Sequence, residues 1–364
     1  MKPIAVDLFS GPGGISEGLR AAGFDVRLAI DCDLNSYMVY TANHPGTPVL
    51  WQDVRMLKSL ESSIRAIGLR KRDVALVAGG PPCQGFSQAN RRTNSTDNVH
   101  NGMIEQFLRF VREIKPSAVL LENVEGLRSF NKGLVIDRVV RQLEKVGYDV
   151  EIAVLNSADY GVPQIRRRVF VIGSMNGRFR WPRKTHGPET SKPWVTVGDA
   201  ILGDLPPLNG SIGERRTVYA GPPTSTYQKS MRQRRSVLYD HVTTASSERT
   251  KKRFSIVPQG SGLFYLEREG KVPKDLRIRI GHKGVYRRLD PDSPSLTVTN
   301  VSRSMTIHPE ENRIISLREA ARLQSFPDGY RFHGNISKMQ QAIADAAPPN
   351  LVRAVALSLS KSFN

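Results

Sequence analysis

The sequence predicts an α/β fold in which a largely parallel sheet carries helices on both faces. Short apolar runs alternate with amphipathic stretches through the first half of the chain, which is the pattern of strands joined by crossover helices. Glycine-rich or polar segments directly follow several of these runs, at the strand ends where ligands bind in open α/β sheets. A length of 364 residues with 39% hydrophobic residues allows two domains, or one large α/β unit with an insertion.

The predicted elements follow from local periodicity. Compact apolar runs predict strands at Ile4–Phe9, Val26–Ile30, Val74–Ala78, Ala118–Leu121, Val150–Leu155 and Val169–Gly173. Apolar residues at helical spacing predict helices at Ile15–Ala22, Met103–Ile114 and Val135–Val146, and again over Met339–Leu359 around a pair of prolines. After Gly173, frequent prolines break up regular structure, so we expect this part of the chain to form a second, loop-rich domain.

The charge distribution indicates a polyanionic partner. Lys and Arg number 53 against 34 Asp and Glu, which gives a formal net charge of +19. Residues 178–283 contain 21 cations and 9 acids, so less than a third of the chain carries +12 of that excess. Such clustering favours nucleic acid over a membrane surface, and a diffusely basic surface is the alternative explanation.

The composition also predicts the cellular compartment of the protein and whether it binds a metal ion. No apolar run approaches the ~18 residues of a membrane span, and the N-terminal residues lack the apolar stretch of a signal peptide, so we expect a cytoplasmic protein. Cys32 and Cys83 are the two cysteines, too few for a zinc cluster or a disulfide framework. We therefore expect no metal site, and any thiol chemistry must be that of a lone cysteine.

A candidate nucleotide site lies where the first predicted strand ends. Ile4–Phe9 runs directly into Ser10–Gly14, whose glycines allow close approach of the backbone to a ligand at a helix N-terminus. Asp31 follows the second strand, a position from which a carboxylate can accept hydrogen bonds from ribose hydroxyls. Asp53 follows the third strand and could reach an adenine amino group. For both acids the alternative is a solvated residue at a strand end.

A stronger signal is the segment Gly79–Ser87, which follows a buried strand. Paired prolines fix the backbone ahead of Cys83 and polar residues follow it, which suits a presented nucleophile better than a core cysteine. Glu122, after the next strand, is an acid that could face the same pocket. Arginines at 166–168 precede a further strand, where cations could depress the pKa of the thiol or bind a carbonyl oxygen.

Together these motifs resemble one family, the DNA cytosine-5 methyltransferases that use S-adenosylmethionine. The matching segments are Asp7–Gly14 with Gly18 and Ala22–Phe24 for the cofactor loop, Pro81–Gln84 for the nucleophile, Glu122–Val124 for the acid, Gln164 with Arg166 and Arg168 for the arginine motif, and Arg288–Leu289 with Pro294–Thr297 for the segment that supports target recognition. The motifs follow the family's order and leave only about 178–285 unmatched, the region that varies with the target.

The resemblance implies a Rossmann-like methyltransferase sheet with helices on both faces, plus a smaller, loop-rich and basic target recognition domain. The catalytic domain would comprise residues 1–177 completed by 338–364. The small domain would comprise residues 178–337, with a recognition region at 178–285 and its supporting segment at 286–337. The implied partners are double-stranded DNA and companion restriction or defence proteins, for an enzyme that acts as a monomer away from membranes.

A mechanism is implied as well. The Cys83 thiolate adds to C6 of a cytosine flipped out of the duplex, which makes C5 nucleophilic toward the methyl group of the cofactor. Glu122 holds N3 and the exocyclic amine, Arg168 contacts O2, and Arg166 orients the nucleophile loop. Cofactor binding is implied for Phe9, Ser10, Gly11, Gly13, Gly14, Asp31, Cys32, Asp53, Val54, Pro81, Asp345 and Ala346, and DNA contact for Ser87, Arg232, Arg234, Arg235, Lys251, Lys252 and Arg253.

Three positions depart from the family pattern. Cys32 stands where a bulky apolar residue often faces adenine, and His100 stands near a position often occupied by Arg. Ala344–Ala347 replaces the Gly-Asn that usually precedes the paired prolines, so the Asp345 carboxylate would repel the carboxylate of the cofactor.

Two alternative functions compete with DNA methylation. A branch of the same family methylates tRNA, and a basic, aromatic-bearing region would serve either polymer. That branch carries a Cys-Phe-Thr signature in its recognition region, and this chain has no cysteine there. The second alternative is a DNA-binding regulatory homologue that has lost activity, against which the intact Cys83, Glu122 and Arg168 argue.

Overall fold

The computed structural model describes residues 2–82, 101–278 and 284–363, and the chain divides into two compact units. The first unit comprises Met1–Tyr160, Arg167–Lys184 and Ala346–Asn364. The second comprises Gly161–Arg166 and Thr185–Asp345. Residues 161–166 and 338–345, which the domain boundaries drawn from the sequence place with the catalytic part, thus belong by their contacts to the second unit.

A seven-stranded sheet forms the centre of the first unit and confirms the predicted α/β fold. Its strands are β1 (Ile4–Leu8), β2 (Asp25–Asp31), β3 (Val49–Trp51), β4 (Val74–Gly79), β5 (Ala118–Val124), β6 (Asp149–Asn156) and β7 (Arg167–Ser174), in the order β3-β2-β1-β4-β5-β7-β6. Strands β1 to β5 are parallel, whereas β7 runs antiparallel to both β5 and β6. Because β7 is reversed, its first residues lie beside the carboxyl end of β5.

The central strands β1, β4 and β5 are buried on both faces, as a parallel sheet covered by helices requires. Alternate residues of β5 enter two different hydrophobic clusters: Val119 and Leu121 join one, while Ala118 and Leu120 join the other. This alternation follows from the two-residue period of a strand. It explains why the sequence of each central strand reads as a continuous apolar run rather than as an alternating one.

Helices cover the sheet and build the second unit. They are α1 (Gly14–Ala21), α2 (Leu34–Asn43), α3 (Leu60–Ala66), α4 (Asn101–Ile114), α5 (Leu134–Val146), α6 (Val197–Ile201), α7 (Thr226–Arg232), α8 (Glu248–Ser255), α9 (Leu263–Arg268), α10 (Val301–Ser304), α11 (Leu317–Leu323), α12 (Ile336–Asp345) and α13 (Pro349–Ser360). The helical spacing predicted over Met339–Leu359 therefore forms two helices, broken just before Pro349. Among the residues described, no helix is both long enough and apolar enough to cross a membrane.

Buried arginines organise the second unit, which also contains an antiparallel pair of strands, β8 (Gly213–Val218) and β9 (Val237–Val242). The Arg322 side chain is fully buried and donates to both carboxylate oxygens of Asp204, at 2.7 and 2.9 Å, and of Asp328, at 2.7 and 2.9 Å. Arg288 instead donates to the backbone carbonyls of Phe254, Val257, His308 and Glu311. One guanidinium group can donate hydrogen bonds to several carbonyl oxygens at the same time. A loop-rich unit needs such donors, because few of its carbonyl groups are paired within strands.

Helix α13 packs directly against helix α1 within the first unit. A Cβ atom added to Gly14 would lie 2.3 Å from the carbonyl oxygen of Ala347, and one added to Gly18 would lie 2.6 Å from Cβ of Val352 and 2.7 Å from the carbonyl oxygen of Pro349. Side chains at these two positions would therefore force α1 and α13 apart. The glycines are required by this helix contact as well as by the loop that precedes α1.

We expect Gly18→Ala to lower the free energy of unfolding by about 1–3 kcal/mol, because the added methyl overpacks the contact between α1 and α13. Urea unfolding followed by circular dichroism measures the change. Gly46→Ala is the matched control, since a Cβ there meets no atom within 4 Å, and its stability should equal or slightly exceed that of the wild type. Equal stability of the two variants would contradict the inferred contact.

Candidate active site at the carboxyl edge of the sheet

The glycine-rich segment between β1 and α1 is held in a conformation that ordinary residues avoid. Phe9 has φ +58°, Gly11 +54° and Gly13 +100°. A left-handed conformation costs a residue such as Phe9 of order 1–3 kcal/mol, and it persists only where the surrounding structure imposes it. This strain marks the loop as a candidate ligand site.

Asp31 fixes that loop. One of its carboxylate oxygens accepts a hydrogen bond from the backbone N–H of Gly11 at 2.8 Å, and the other accepts one from the N–H of Asp33 at 2.8 Å. Burial raises the pKa of Asp31 above its usual range. Each carboxylate oxygen has a further lone pair, so the same group can still accept hydrogen bonds from a ligand.

Two features of the loop fit a bound ligand. A Cβ placed on Gly11 meets no atom within 4 Å, so there is open space directly over the backbone. The hydroxyl of Ser10 is buried and has no hydrogen-bond partner among the residues that the structure describes. A buried hydroxyl without a partner is costly, which indicates that a ligand group completes its hydrogen bonding.

The ends of β2 and β3 form a second wall beside the loop. Cys32 is exposed, and its carbonyl oxygen accepts a hydrogen bond from the indole N–H of Trp51 at 2.9 Å. Trp51 of β3 lies directly beside Asp31 of β2 in the sheet register, and its side chain is exposed (55%). The carboxylate of Asp53 is bound by the Arg55 side chain, which lowers the pKa of Asp53, and Val54 is buried.

Trp51 is a residue that reasoning from the sequence missed. An aromatic residue at the end of a short strand usually belongs to the core, so its type alone did not single it out. Its position just before Asp53, at a strand end that faces the candidate site, was the available signal.

A buried ion pair lies at the ends of β5 and β7. Glu122 is 7% exposed, and its Oε1 lies 3.1 Å from Nε of Arg168. The ion pair follows from the direction of β7. Because β7 is antiparallel to β5, Arg168 at the start of β7 lies beside Val124 at the end of β5, which places its guanidinium close to Glu122. An acid and a cation held together here can bind a polar planar group that presents both a donor and an acceptor.

The segment that leads to Cys83 is tied to the same strand end. Nδ2 of Asn123 donates to the carbonyl oxygen of Pro81 at 3.0 Å. A Cβ on Gly80 would lie 3.2 Å from Oε2 of Glu122, so the backbone passes close to the carboxylate. Cys83 and Ser87 themselves lie outside the described residues.

Two of the remaining predicted residues, Arg166 and Asp345, belong to the second unit, and a third, Ala346, belongs to the first. Arg166 is buried and donates to the carbonyl oxygens of Val298 and Ala344, at 3.4 and 2.6 Å. Asp345 ends α12, where its carboxylate accepts hydrogen bonds from Gln341. Ala346 belongs to the first unit and lies 3.3 Å from the Cβ position of Gly14. The role of Asp345 stays a prediction.

The six cations expected to contact DNA divide into two groups by the contacts that they make within the second unit. Arg253 is 8% exposed and donates to the carbonyl oxygen of Leu276, and Arg232 donates to Gly221 and stacks 3.7 Å from the ring centre of Tyr219. These two guanidinium groups stabilise the second unit, so we leave them out of its candidate binding surface. The others are exposed or half-exposed: Arg234, Arg235, Lys251, whose ammonium is bound by Glu248, and Lys252.

Beneath the loop, Asp7 is a buried carboxyl group that holds α1 and α2 to the sheet. Its Oδ2 accepts a hydrogen bond from the Ser16 hydroxyl at 2.6 Å, and that hydroxyl also meets the Tyr40 hydroxyl at 2.6 Å. Oδ1 of Asp7 has no hydrogen-bond partner within the described parts of the chain. Burial raises the pKa of Asp7 to about 7, so the carboxyl is neutral in mildly acidic solution.

Comparison with known proteins gives consistent matches over the whole chain. A family model described as C-5 cytosine-specific DNA methylase matches residues 4–361. The chain is 35% identical over 358 residues to the Type II methyltransferase M1.HphI of Haemophilus parahaemolyticus, covering 98% of this chain and 86% of that protein. It is 32% identical over 374 residues to the Type II methyltransferase M.DdeI of Desulfomicrobium norvegicum, covering 98% and 88%. A solved structure of a candidate DNA modification methyltransferase from an E. coli prophage superposes with a TM-score of 0.80, at 25% identity and full coverage of both chains.

The raised pKa of Asp7 predicts a pH-dependent stability. Because the folded-state pKa lies above that of the unfolded chain, the stabilising contribution is complete below about pH 4 and is lost as the pH rises through about 7. Between about pH 5 and pH 8 the wild type should therefore lose roughly 2–3 kcal/mol that Asp7→Asn does not lose. Urea unfolding at the two pH values measures this difference. Asp137→Asn, at an exposed position, should keep the wild-type difference, and a full wild-type loss in Asp7→Asn would contradict the assignment.

Proposed function

This chain belongs to the C-5 cytosine-specific DNA methylase family, and we propose that it methylates C5 of a cytosine flipped out of duplex DNA through a covalent bond between Cys83 and C6. The observation that carries this proposal is the Glu122–Arg168 ion pair beside the backbone that leads to Cys83. As a member of the family the chain is a DNA (cytosine-5-)-methyltransferase, and its relatives are Type II methyltransferases.

The cofactor expected for this family is S-adenosylmethionine, which supplies a methyl group on a sulfonium and therefore reactive toward a carbon nucleophile. The loop from Phe9 to Gly14 would hold it, with open space over Gly11 and the buried hydroxyl of Ser10 as the supporting observations. Asp31 would accept hydrogen bonds from the ribose through its remaining lone pairs. Asp53 and Val54 would border the adenine, with the Asp53 carboxylate shared with Arg55.

Three side chains of the protein would act directly on atoms of the cytosine ring. The Cys83 thiolate forms a bond to C6, and the electron pair of the C5–C6 double bond moves toward C5 and the N3 side of the ring. Glu122, at N3 and the exocyclic amine, stabilises this redistribution, and Arg168 contacts O2. Methylation of C5 and loss of its proton then allow the C6–sulfur bond to break, which releases the thiolate of Cys83 and restores the aromatic ring.

Two features position these groups. Asn123 donates to the carbonyl of Pro81, so the backbone at Pro81 is fixed relative to Glu122, one residue earlier on β5. The carboxylate of Glu122 is fixed by Arg168 in turn. Both partners are nearly buried, and a charge pair removed from water holds its geometry better than an exposed one.

The second unit would select the DNA sequence. Its exposed cations at Arg234, Arg235 and Lys252 suit the phosphate backbone, which positions a protein on DNA without reading its sequence. Flipping the target base costs a few kcal/mol of stacking and pairing, which these backbone contacts help to offset. The similarity to Type II methyltransferases supports a restriction-modification role, with protection of host DNA from a companion nuclease.

The first test is trapping of the covalent intermediate. Fluorine at C5 blocks the final proton loss, so duplex DNA synthesised with 5-fluorocytosine should form an adduct that survives denaturing electrophoresis in the presence of S-adenosylmethionine. Cys83→Ala should abolish the adduct and lower methyl transfer by about 10³-fold or more, while retaining DNA binding.

Cys32→Ala is the matched control, because Cys32 is the other cysteine of the chain and should leave the adduct intact. An adduct that persists in Cys83→Ala would overturn the mechanism. Transfer of a labelled methyl group to tRNA but not to DNA would assign the substrate to RNA, and transfer to neither would favour the inactive regulatory homologue.

The second test concerns Trp51, which we propose supplies an aromatic wall for the adenine in place of the bulky residue missing at position 32. Stacking on an aromatic ring contributes about 1–3 kcal/mol, so Trp51→Ala should weaken S-adenosylmethionine binding by about fivefold or more. Calorimetry measures the affinity, and quenching of tryptophan fluorescence on binding should disappear in Trp51→Phe. Trp181→Phe is the control, since Trp181 packs on Phe179 with ring centres 4.9 Å apart. Wild-type affinity in Trp51→Ala would show that the ring takes no part.

A further inference from the structure

An open cleft of about 510 Å³ lies on the outer surface of α4 and α5 in the first unit. Its lining comprises four cations, one amide and one aliphatic side chain: Arg112, Arg138, Arg141, Lys145, Gln142 and Val146. All four cations are exposed. Neither the candidate active site nor the proposed recognition surface includes any of these residues.

The positive charge of this cleft is only partly neutralised. Arg138 pairs with Glu105 at 3.0 Å, and Gln142 links Arg112 to the same carboxylate through hydrogen bonds. Arg141 and Lys145 make no hydrogen bond or ion pair with any side chain in the described ranges. Their cationic groups therefore remain open to an external ligand.

The cleft opens at the edge of the sheet opposite the candidate active site. Arg112 lies near the end of α4, shortly before the first residue of β5, and Lys145 lies near the end of α5, shortly before the first residue of β6. Glu122 and the glycine loop lie at the carboxyl ends of their strands. A straight duplex bound over Glu122 would therefore not reach this cleft.

The spacing of the cations matches a phosphate backbone. Arg138, Arg141 and Lys145 share one face of α5, opposite the buried Val139 and Leu143. Seven residues of helix span about 10.5 Å, which corresponds to about three nucleotide steps of one DNA strand. Arginine binds phosphate oxygens in bidentate fashion, and lysine binds them as a point charge.

We propose that this cleft binds the phosphate backbone of a DNA segment remote from the target cytosine, so that long DNA engages the enzyme at two places. The proposal rests on the DNA binding of the proposed function but not on the chemistry of Cys83. An acidic protein segment is the competing occupant. The lining argues against it, because Val146 is the single apolar side chain there and protein interfaces usually need a buried aromatic or aliphatic anchor.

The test compares a duplex of about 20 base pairs that carries the target with one of about 100 base pairs, using Arg141→Gln combined with Lys145→Gln. Affinity is measured by fluorescence anisotropy over a range of salt concentrations. For the long duplex we expect roughly three- to tenfold weaker binding and a salt dependence of log K that is less steep by about 0.9 for each phosphate that the variant no longer neutralises. Binding and methylation of the short duplex should be unchanged.

The matched control removes the same charge elsewhere in the first unit. Arg65 and Arg72 are exposed and lie outside the cleft, so Arg65→Gln combined with Arg72→Gln should bind both duplexes as the wild type does. Arg234→Gln combined with Lys252→Gln should instead weaken both duplexes. Thermal unfolding confirms that each variant folds.

Equal affinity and salt dependence of the cleft variant and the control variant on the long duplex would overturn the proposal. A cleft variant that binds long DNA normally but loses binding of a poly-glutamate peptide would overturn it in favour of an acidic protein partner. Failure of the wild type to methylate either duplex would count against the proposed function instead, which keeps the two outcomes distinguishable.

Discussion

The close approach of α1 and α13 is the constraint on which the rest of the first unit depends. Gly14 packs against the carbonyl oxygen of Ala347, just before α13, and Gly18 packs against Pro349 and Val352 of α13. The distances leave no room for even a methyl group on either glycine. Because α1 is fixed there, the loop that enters it is fixed as well, including the strained Phe9 and the backbone N–H that binds Asp31. The geometry of the candidate ligand loop is thus set by the packing of α1 against Ala347, Pro349 and Val352.

A second constraint is strand direction. A reversed β7 places its first residues, rather than its last, at the end of β5, and this alone brings Arg168 to Glu122. Asn123, the next residue on β5, donates a hydrogen bond to the carbonyl oxygen of Pro81, two residues before Cys83. The Glu122–Arg168 ion pair and the backbone at Pro81 are therefore both held by two adjacent residues of one strand, whose own positions are fixed by the hydrogen bonds of the sheet.

Much of the fold follows from the sequence because central strands and amphipathic helices differ in hydrophobic period, and because glycines and prolines mark where they stop. The direction of β7 does not follow, since an apolar run reads the same in either orientation. The number of cations in a segment also does not show which of them reach solvent. Arg253 is buried and donates to the carbonyl oxygen of Leu276, whereas its neighbour Lys252 is exposed. Trp51 was not singled out, because an aromatic residue at the end of a short strand usually belongs to the core. Arg166 was singled out from the sequence, but its hydrogen bonds to the carbonyl oxygens of Val298 and Ala344 could not be predicted, because both residues lie far away in the chain.

The contact between α1 and α13 also dictates an order of events during synthesis. The backbone carbonyl of Ala21 meets the side chain of Arg353, 332 positions later in the chain. The first helix is therefore synthesised more than 300 residues before the helix on which it packs. Contacts of such long range are slow to form, because the entropy of closing the intervening chain must be lost first. Until α13 has been synthesised, a nascent chain lacks the packing that supports its glycine loop.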